Sequence, residues 1–144
     1  MPAPKFVLHR FDRIKYTDLN SRQKENYAYQ KVSAVLADYG FVTIRLSDDW
    51  QGADFIAQHI DGKTMLRVQL KGRMTIGKKY LGKDLYICFR ENEQWYFVPH
   101  DEFVEWARTK TTICNSYSWT NKGGYSVPYL PAAIKAHLEQ YRIC

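Results

Sequence analysis

An Asp-Gly step at positions 61 and 62 separates two runs of residues in which apolar and polar side chains alternate. Asp-Gly between alternating runs is the strongest short-range signal for a β-hairpin. We therefore predict two antiparallel strands, over residues 53–60 and 63–71, joined by a two-residue turn. Such a turn fixes the register, because Ile60 then faces Lys63 and every further pair along the strands follows.

This register brings three polar side chains to one face of the hairpin. Asp54 lies directly opposite Gln69, and facing residues have Cβ atoms about 4.5–5.5 Å apart. Lys71 lies two positions beyond Gln69 and points to the same side. The other face is apolar and is predicted to lie against the core; it carries Ala53, Phe55, Ala57, Leu66, Val68 and Leu70.

Such a cluster suits metal-assisted chemistry on phosphate. A carboxylate and an amide oxygen fit a hard cation such as Mg²⁺, which keeps several waters and often completes its shell with substrate phosphate. A lysine beside the cation can orient water or stabilise charge on a phosphorus-centred transition state. The alternative is an exposed strand face with a weak contact between Asp54 and Lys71. The spacing alone leaves both interpretations open.

The rest of the chain predicts helices on either side of more strands. A helix is expected over residues 21–39, with Asn20 and Gln23 forming a capping box and Gly40 ending the helix. The remaining predicted elements, in chain order, are a strand at 41–46, a second hairpin of residues 85–90 and 94–98, a short helix at 101–108 capped by Asp101, and a last helix opened by Pro131.

This order of elements predicts an α/β fold with a mixed central sheet of four or five strands flanked by helices. We expect one domain over residues 1–144, with a short N-terminal tail that enters the fold at residues 6–8. Its core spans residues 20–108, and a polar, aromatic hairpin and the C-terminal helix follow over residues 109–144.

Composition narrows the class of function. The chain has 144 residues, 45% of them hydrophobic, which is enough for a core of its own. No apolar run approaches the ~18 residues needed to span a bilayer, and we expect neither membrane insertion nor export. The three cysteines, Cys88, Cys114 and Cys144, are widely spaced, which favours a reducing, cytoplasmic setting. A net charge of +6 favours an anionic partner, most often nucleic acid.

The predicted hairpin also resembles a known family. Residues 52–57 read GADFIA and residues 66–71 read LRVQLK, a pattern that resembles the signature of the PD-(D/E)XK nuclease superfamily in its Gln-x-Lys variant. The preceding helix and strand resemble the usual lead-in. The resemblance implies a restriction-endonuclease-like fold and cleavage of nucleic acid that depends on Mg²⁺, with Mn²⁺ as an alternative. It also implies that Asp54 and Gln69 bind the metal and that Lys71 is the family's lysine.

The sequence departs from that signature in three ways. Gln69 stands where an acid is commoner, which implies weaker Mg²⁺ binding, and Ala53 replaces the proline before the aspartate. Many members contribute a glutamate from the first helix. The nearest candidate is Glu25, about one turn before the usual place, where Tyr29 or Gln30 stands. Glu25 is therefore a candidate fourth catalytic residue; the alternative is an acid that only stabilises the first turn of the helix.

A basic segment, residues 72–83, follows the candidate lysine directly. Its cations are Arg73, Lys78, Lys79 and Lys83, and its place beside the cluster favours contacts with phosphates. The alternative is a solvated surface loop. Residues 109–129 are polar and aromatic, and we expect them to pack as a hairpin on the core; stacking on unpaired bases is the alternative.

The sequence thus predicts a metal-dependent endonuclease that hydrolyses phosphodiester bonds, with DNA as the expected substrate. No separate sequence-reading domain is recognisable, so we expect cutting that depends on DNA structure or on a homodimer. The alternative is a nucleic-acid-binding module with the nuclease fold and little or no catalysis, which the amide at Gln69 and the offset of Glu25 both favour. A third interpretation is a scaffold protein whose positive charge is incidental.

Overall fold

The first long element is helix α1, Ser21–Ala37. Its start follows from local chemistry, because the side chains of Asn20 and Gln23 each accept a hydrogen bond from the other's backbone N–H at 2.9 Å. Gly40 follows the helix with φ +85°, a left-handed conformation that favours glycine. The predicted helix is confirmed, although it ends two residues early. The computed structural model describes residues 10–144, with the side chain of Asp49 excepted.

Eight strands follow and form two sheets. In the six-stranded sheet the order is β1-β2-β3-β5-β6-β8, and only β3 and β5 are parallel neighbours; β4 and β7 form a separate antiparallel pair. The mixed α/β fold with helices flanking a central sheet is confirmed, and the sheet is larger than predicted. The strands are β1 Phe41–Trp50, β2 Ala53–His59, β3 Met65–Leu70, β4 Met74–Gly77, β5 Leu85–Glu91, β6 Gln94–Pro99, β7 Gly124–Val127 and β8 Arg142–Ile143.

The β2–β3 hairpin has the predicted register, with Phe55 paired with Val68. Its turn is longer than the predicted two residues, because the last backbone bond of the hairpin runs from the N–H of His59 to the carbonyl of Thr64. The carboxylate of Asp61 closes this turn by accepting the backbone N–H groups of Lys63 and Thr64, both at 2.8 Å. The register of the two strands is unchanged because the longer turn takes the same number of residues from each strand.

Both faces of the central sheet are covered, each by its own apolar cluster. Helix α1 covers one face, where Val32 and Leu36 pack with Phe55 and Val68. The other face is covered by helix α2, His100–Lys110, by helix α3, Ala132–Leu138, and by the β4–β7 pair. The apolar face predicted for the hairpin lies in the first cluster at every position except Ala53. Ala53 packs in the second cluster and not with Phe55.

The basic segment is not the loop that was predicted. Its residues 74–77 form β4, in which Met74 and Ile76 are buried, and β4 pairs with β7. Residues 109–129 do not form a hairpin of their own, because β7 takes its partner from the basic segment. The short helix begins one residue before Asp101, which caps nothing there; Pro99 is the N-cap residue. The last helix begins after Pro131, as predicted.

Two sequence predictions concern the start of the chain and membranes. The predicted entry into the fold at residues 6–8 lies outside the described residues. Within residues 10–144, every helix is too short or too polar to cross a membrane.

Candidate metal and nucleic-acid site

The hairpin holds the carboxylate of Asp54 against the backbone of the facing strand. Asp54 is the second residue of β2, and its Oδ2 accepts a hydrogen bond from the N–H of Leu70 at 2.8 Å. Leu70 stands between Gln69 and the candidate lysine, so this bond ties the carboxylate to the centre of the predicted cluster. The side chain of Asp54 is half-buried, which leaves part of the carboxylate accessible.

Gln69 carries an oxygen that is buried without a donor. The residue is 8% exposed, and among the described residues its Oε1 accepts no hydrogen bond. It lies inside the sheet, paired with Ile87 of the parallel strand β5. A buried acceptor without a donor costs about 1–3 kcal/mol. A cation or an ordered water at this oxygen would remove that cost, which is the behaviour expected of a metal ligand.

Lys71 lies where β3 ends, and both its backbone and its side chain are held. Its backbone N–H donates to the carbonyl of Cys88 at 2.8 Å, which continues the β3–β5 pairing by one bond. Its Nζ lies 5.5 Å from the ring centroid of Tyr80, over the ring face. A cation on an aromatic face is attracted by the ring quadrupole. The Tyr80 ring therefore holds the ammonium group in place at the end of β3.

The residues fit Mg²⁺, although they supply few charges for it. Asp54 and Gln69 offer a carboxylate and an amide oxygen, the ligand types that Mg²⁺ prefers. Among the described side chains, which do not include that of Asp49, no group of three or more His, Cys, Asp or Glu residues could hold a metal ion. A cation bound here would depend on water and substrate phosphate for the rest of its shell.

Glu25 stays a prediction. Its side chain is exposed on the second turn of α1. One turn later, the hydroxyl of Tyr29 lies 3.0 Å from Oγ1 of Thr43, and its ring packs edge-on against Phe55, the neighbour of Asp54. Helix α1 thus reaches the level of the candidate site at Tyr29, and Glu25 lies further towards the helix N-terminus.

A basic cleft of about 500 Å³ opens beside Lys71. Lysines at positions 71, 78, 79 and 122 line it, and no carboxylate lies among its lining residues within the described chain. Residues with side-chain hydroxyl groups complete the wall: Thr75 of β4, and Ser118 and Ser126 from the later segment. A cleft of this size with one sign of charge concentrates anionic ligands.

The cleft includes some of the predicted phosphate-binding residues and adds one. Lys78 and Lys79 line it, whereas Arg73 and Lys83 are not among its lining residues. Arg73 donates from Nε to Oγ of Ser126 at 2.7 Å, and the backbone carbonyl of Lys83 accepts a bond from Arg67. Lys122 was missed, because only the pairing of β4 with β7 brings residues so distant in sequence to the same cleft.

A buried histidine holds the wall of the cleft in place. His100 is fully buried, and its Nε2 accepts the backbone N–H of Gly77 at 3.1 Å. Its Nδ1 therefore carries the proton and donates to Oδ1 of Asp101 at 2.9 Å. The ring packs edge-on against Tyr80, whose face also carries Lys71. Burial lowers the pKa of His100, and this effect outweighs the opposing effect of the Asp101 carboxylate.

Sequence comparison gives no relative, whereas structural comparison does. No protein-family model matches the chain, and no curated protein matches it significantly. The structure is similar to a bacterial homing endonuclease, I-Ssp6803I, with a TM-score of 0.50 and 15% identity over 85% of this chain and 86% of that chain. It is also similar to Hjc, a Holliday junction resolvase of Archaeoglobus fulgidus, with a TM-score of 0.42 and 15% identity over 53% of this chain and 72% of that chain. At such identities the first match establishes a nuclease-like fold, as predicted from the sequence.

Proposed function

We propose that the protein is a Mg²⁺-dependent endonuclease that hydrolyses phosphodiester bonds in DNA, with Mn²⁺ as an alternative metal. The observation that carries the proposal is the buried, unpaired Oε1 of Gln69. Gln69 lies on β3. The next residue, Leu70, donates its N–H to the carboxylate of Asp54, and Lys71 follows directly after the strand. The proposed cluster of a carboxylate, an amide oxygen and an ammonium group adjoins a basic cleft through Lys71, which lines it.

Each residue has a role that follows from its chemistry. Asp54 and Gln69 would hold the cation, which would polarise the phosphate and activate water when bound. Lys71 would orient the attacking water or stabilise the charge that develops on the phosphate oxygens. The hydrogen bond from Leu70 fixes the carboxylate of Asp54 before substrate arrives, so little reorganisation is needed. Glu25 is proposed as a fourth member that approaches from the helix when substrate is bound.

DNA is the proposed substrate because the cleft carries only positive charge among its lining residues. Lysines and hydroxyl groups contact phosphates without reading sequence, so the cleft favours binding that depends on backbone geometry. The similar structure I-Ssp6803I is a homing endonuclease, which supports a nuclease. Lys78 and Lys79 are the proposed phosphate contacts from the basic segment, with Arg73 and Lys83 as outer contacts.

The test is a cleavage assay on linear, supercoiled and branched DNA, single-stranded DNA and RNA, with Mg²⁺, Mn²⁺ or EDTA. We expect cutting with either metal, none in EDTA, and none in Asp54→Asn. The matched control is Asp38→Asn, which makes the same change at the exposed C-cap of α1. Equal cutting by Asp54→Asn and the wild type would contradict the proposal.

A second candidate function is a nucleic-acid-binding module without catalysis. The amide at Gln69 favours it, as does the lack of a group of three acidic or metal-binding side chains among those that the structure describes. In that case DNA would bind with equal affinity to the wild type and to Asp54→Asn, and no metal would produce cutting. Absence of any salt-sensitive binding to DNA would instead favour a scaffold protein. A homodimer, measured by sedimentation, stays a prediction.

A further inference from the structure

A cluster of cations and aromatic rings lies on the side of the sheet that α1 covers, outside the residues given roles above. The guanidinium carbon of Arg90 lies 5.3 Å from the ring centroid of Tyr16 and 5.7 Å from that of Tyr27. Lys24 Nζ lies 5.4 Å from the Tyr16 ring, and Lys31 Nζ lies 5.4 Å from the Tyr27 ring. We call these five residues the α1 patch.

The sequence builds this patch on one stripe of the helix. Lys24, Tyr27 and Lys31 follow each other at spacings of three and four residues, which places them on the same side of α1. The ring of Tyr27 also packs against that of Tyr16, with centroids 5.3 Å apart and the ring planes tilted by 58°, which holds the short turn before the helix. Arg90 reaches the patch from the end of β5.

The three cations of the patch, Lys24, Lys31 and Arg90, are not ion-paired within the described part of the chain; the ion pairs there involve other residues. Contact with an aromatic face stabilises a cation by about 0.5–1 kcal/mol at an exposed site but leaves its charge in place. Three cations therefore present a positive surface that a phosphate chain would neutralise.

The patch lies beside the candidate site, on the opposite face of the sheet from the basic cleft. Arg90 is two residues beyond Cys88, whose carbonyl accepts the backbone N–H of Lys71 at 2.8 Å. The β1, β3 and β5 strands run in one direction, and α1 runs back against β1, so the N-terminal half of α1 lies near the end of β3. The bond from Arg45 of β1 to Oδ1 of Asn26 confirms this placement.

We propose that the α1 patch is a second phosphate-binding surface for the same nucleic acid. This inference rests on the proposed function, because it requires the sugar-phosphate backbone of the nucleic acid to pass Lys71. The basic cleft then contacts it on one side and the α1 patch on the other. Continuity with the candidate site favours nucleic acid over an acidic protein as the partner. The contacts are to phosphates, so the patch adds affinity without sequence preference.

The experiment measures binding of a labelled DNA duplex in EDTA, by fluorescence anisotropy over a salt series. The test variant is Lys24→Gln/Lys31→Gln, and the control is Lys63→Gln/Lys135→Gln, which removes two exposed lysines outside the patch and the cleft. Each phosphate contact contributes about 0.9 to the slope of log K against log salt. We expect the test variant to lose about 2 in slope and about 10-fold or more in affinity, while the control stays within about 2-fold of the wild type.

The outcomes separate this inference from the proposed function. Equal binding by the test and control variants, with DNA still cut by the wild type, would overturn the patch and leave the nuclease standing. If the test variant alone lost DNA binding and the wild type did not cut DNA with any metal, the patch would be supported and the proposed nuclease activity contradicted. The inference would also be overturned if the test variant bound DNA like the wild type but bound an acidic polypeptide, poly-glutamate, more weakly. Circular dichroism of both variants checks that the fold is intact.

Discussion

The β2–β3 hairpin and the basic segment are neighbours in the chain and in space, yet they are built in different ways. The hairpin is specified locally, by a turn that Asp61 closes within three residues of itself. The basic segment takes its structure from distant parts of the chain, since β4 pairs with β7 and Gly77 is held by the buried ring of His100.

This difference separates chemistry from binding. The hairpin carries the groups proposed to act on the phosphate, and its register depends only on two adjacent strands. The cleft that would hold the rest of the substrate is assembled by long-range contacts. Chemistry and binding are therefore expected to respond differently to substitutions.

The largest effect is expected from removing the ammonium group at the end of the hairpin. Lys71→Ala should lower kcat by about 100-fold or more, since removing one group that stabilises transition-state charge typically costs 10²–10³. The DNA dissociation constant should change little. Single-turnover cleavage and binding in EDTA, measured separately, give the two quantities.

Lys79 provides the matched control for this prediction. Its Nζ lies 5.1 Å from the same Tyr80 ring that carries Lys71, and both lysines line the cleft. Lys79→Ala should weaken DNA binding a few-fold and leave kcat unchanged. Equal losses of kcat in the two variants would remove the distinction between the hairpin and the basic segment.

Local sequence signals predicted the hairpin well. The Asp-Gly step, the alternation and the capping box at Asn20 each act within a few residues, so the register of Phe55 with Val68 and the start of α1 could be read directly. The cluster of Asp54, Gln69 and Lys71 follows from that register. The burial of Gln69 could not be predicted, because it depends on β5 and on the layer beneath it.

The basic segment was predicted poorly for a physical reason. Its four strand residues, 74–77, are too few to stand out among glycines and lysines, and their partner lies about fifty residues later. Met74 and Ile76 are buried only because α2 and β7 cover them. The role of His100 likewise depends on a backbone group that no pattern in the sequence connects with it.

The second prediction removes the anchor of the basic segment. His100→Phe keeps a ring in the buried site but leaves the N–H of Gly77 without an acceptor, which costs about 1–3 kcal/mol. Denaturant unfolding should show this loss, and DNA affinity should fall because the lysines that follow Gly77 lose their position. Wild-type stability and affinity in this variant would show that the cleft does not depend on the histidine.

Acid provides a reversible version of the same change. Burial lowers the pKa of His100 in the folded state below the unfolded value near 6.5. The stability that comes from burying the neutral ring is therefore fully present at pH values above about 6.5. This contribution is lost as the pH falls through the folded-state pKa. The melting temperature of the wild type should therefore drop between neutral and acid pH more steeply than that of His100→Phe.

The third prediction supplies the acid that the hairpin lacks. Gln69→Glu adds a second carboxylate at the proposed metal position, and the Mg²⁺ concentration for half-maximal cleavage should fall by about 10-fold, equivalent to about 1.4 kcal/mol. Without metal the buried charge should lower the melting temperature, and Mg²⁺ should restore it. Gln58→Glu makes the same change at an exposed position of β2 and should do neither.

The smallest effect is expected at Lys122, the cleft residue that the sequence did not reveal. Lys122→Gln removes one exposed cation that lines the cleft together with Lys78 and Lys79. If it contacts one phosphate, DNA affinity should fall about 3-fold to 10-fold and the salt slope by about 1, with kcat unchanged. Lys63→Gln, at the turn of the hairpin, is the control. A variant that binds like this control would limit the cleft to the basic segment, and β7 would then serve only to hold β4 in place.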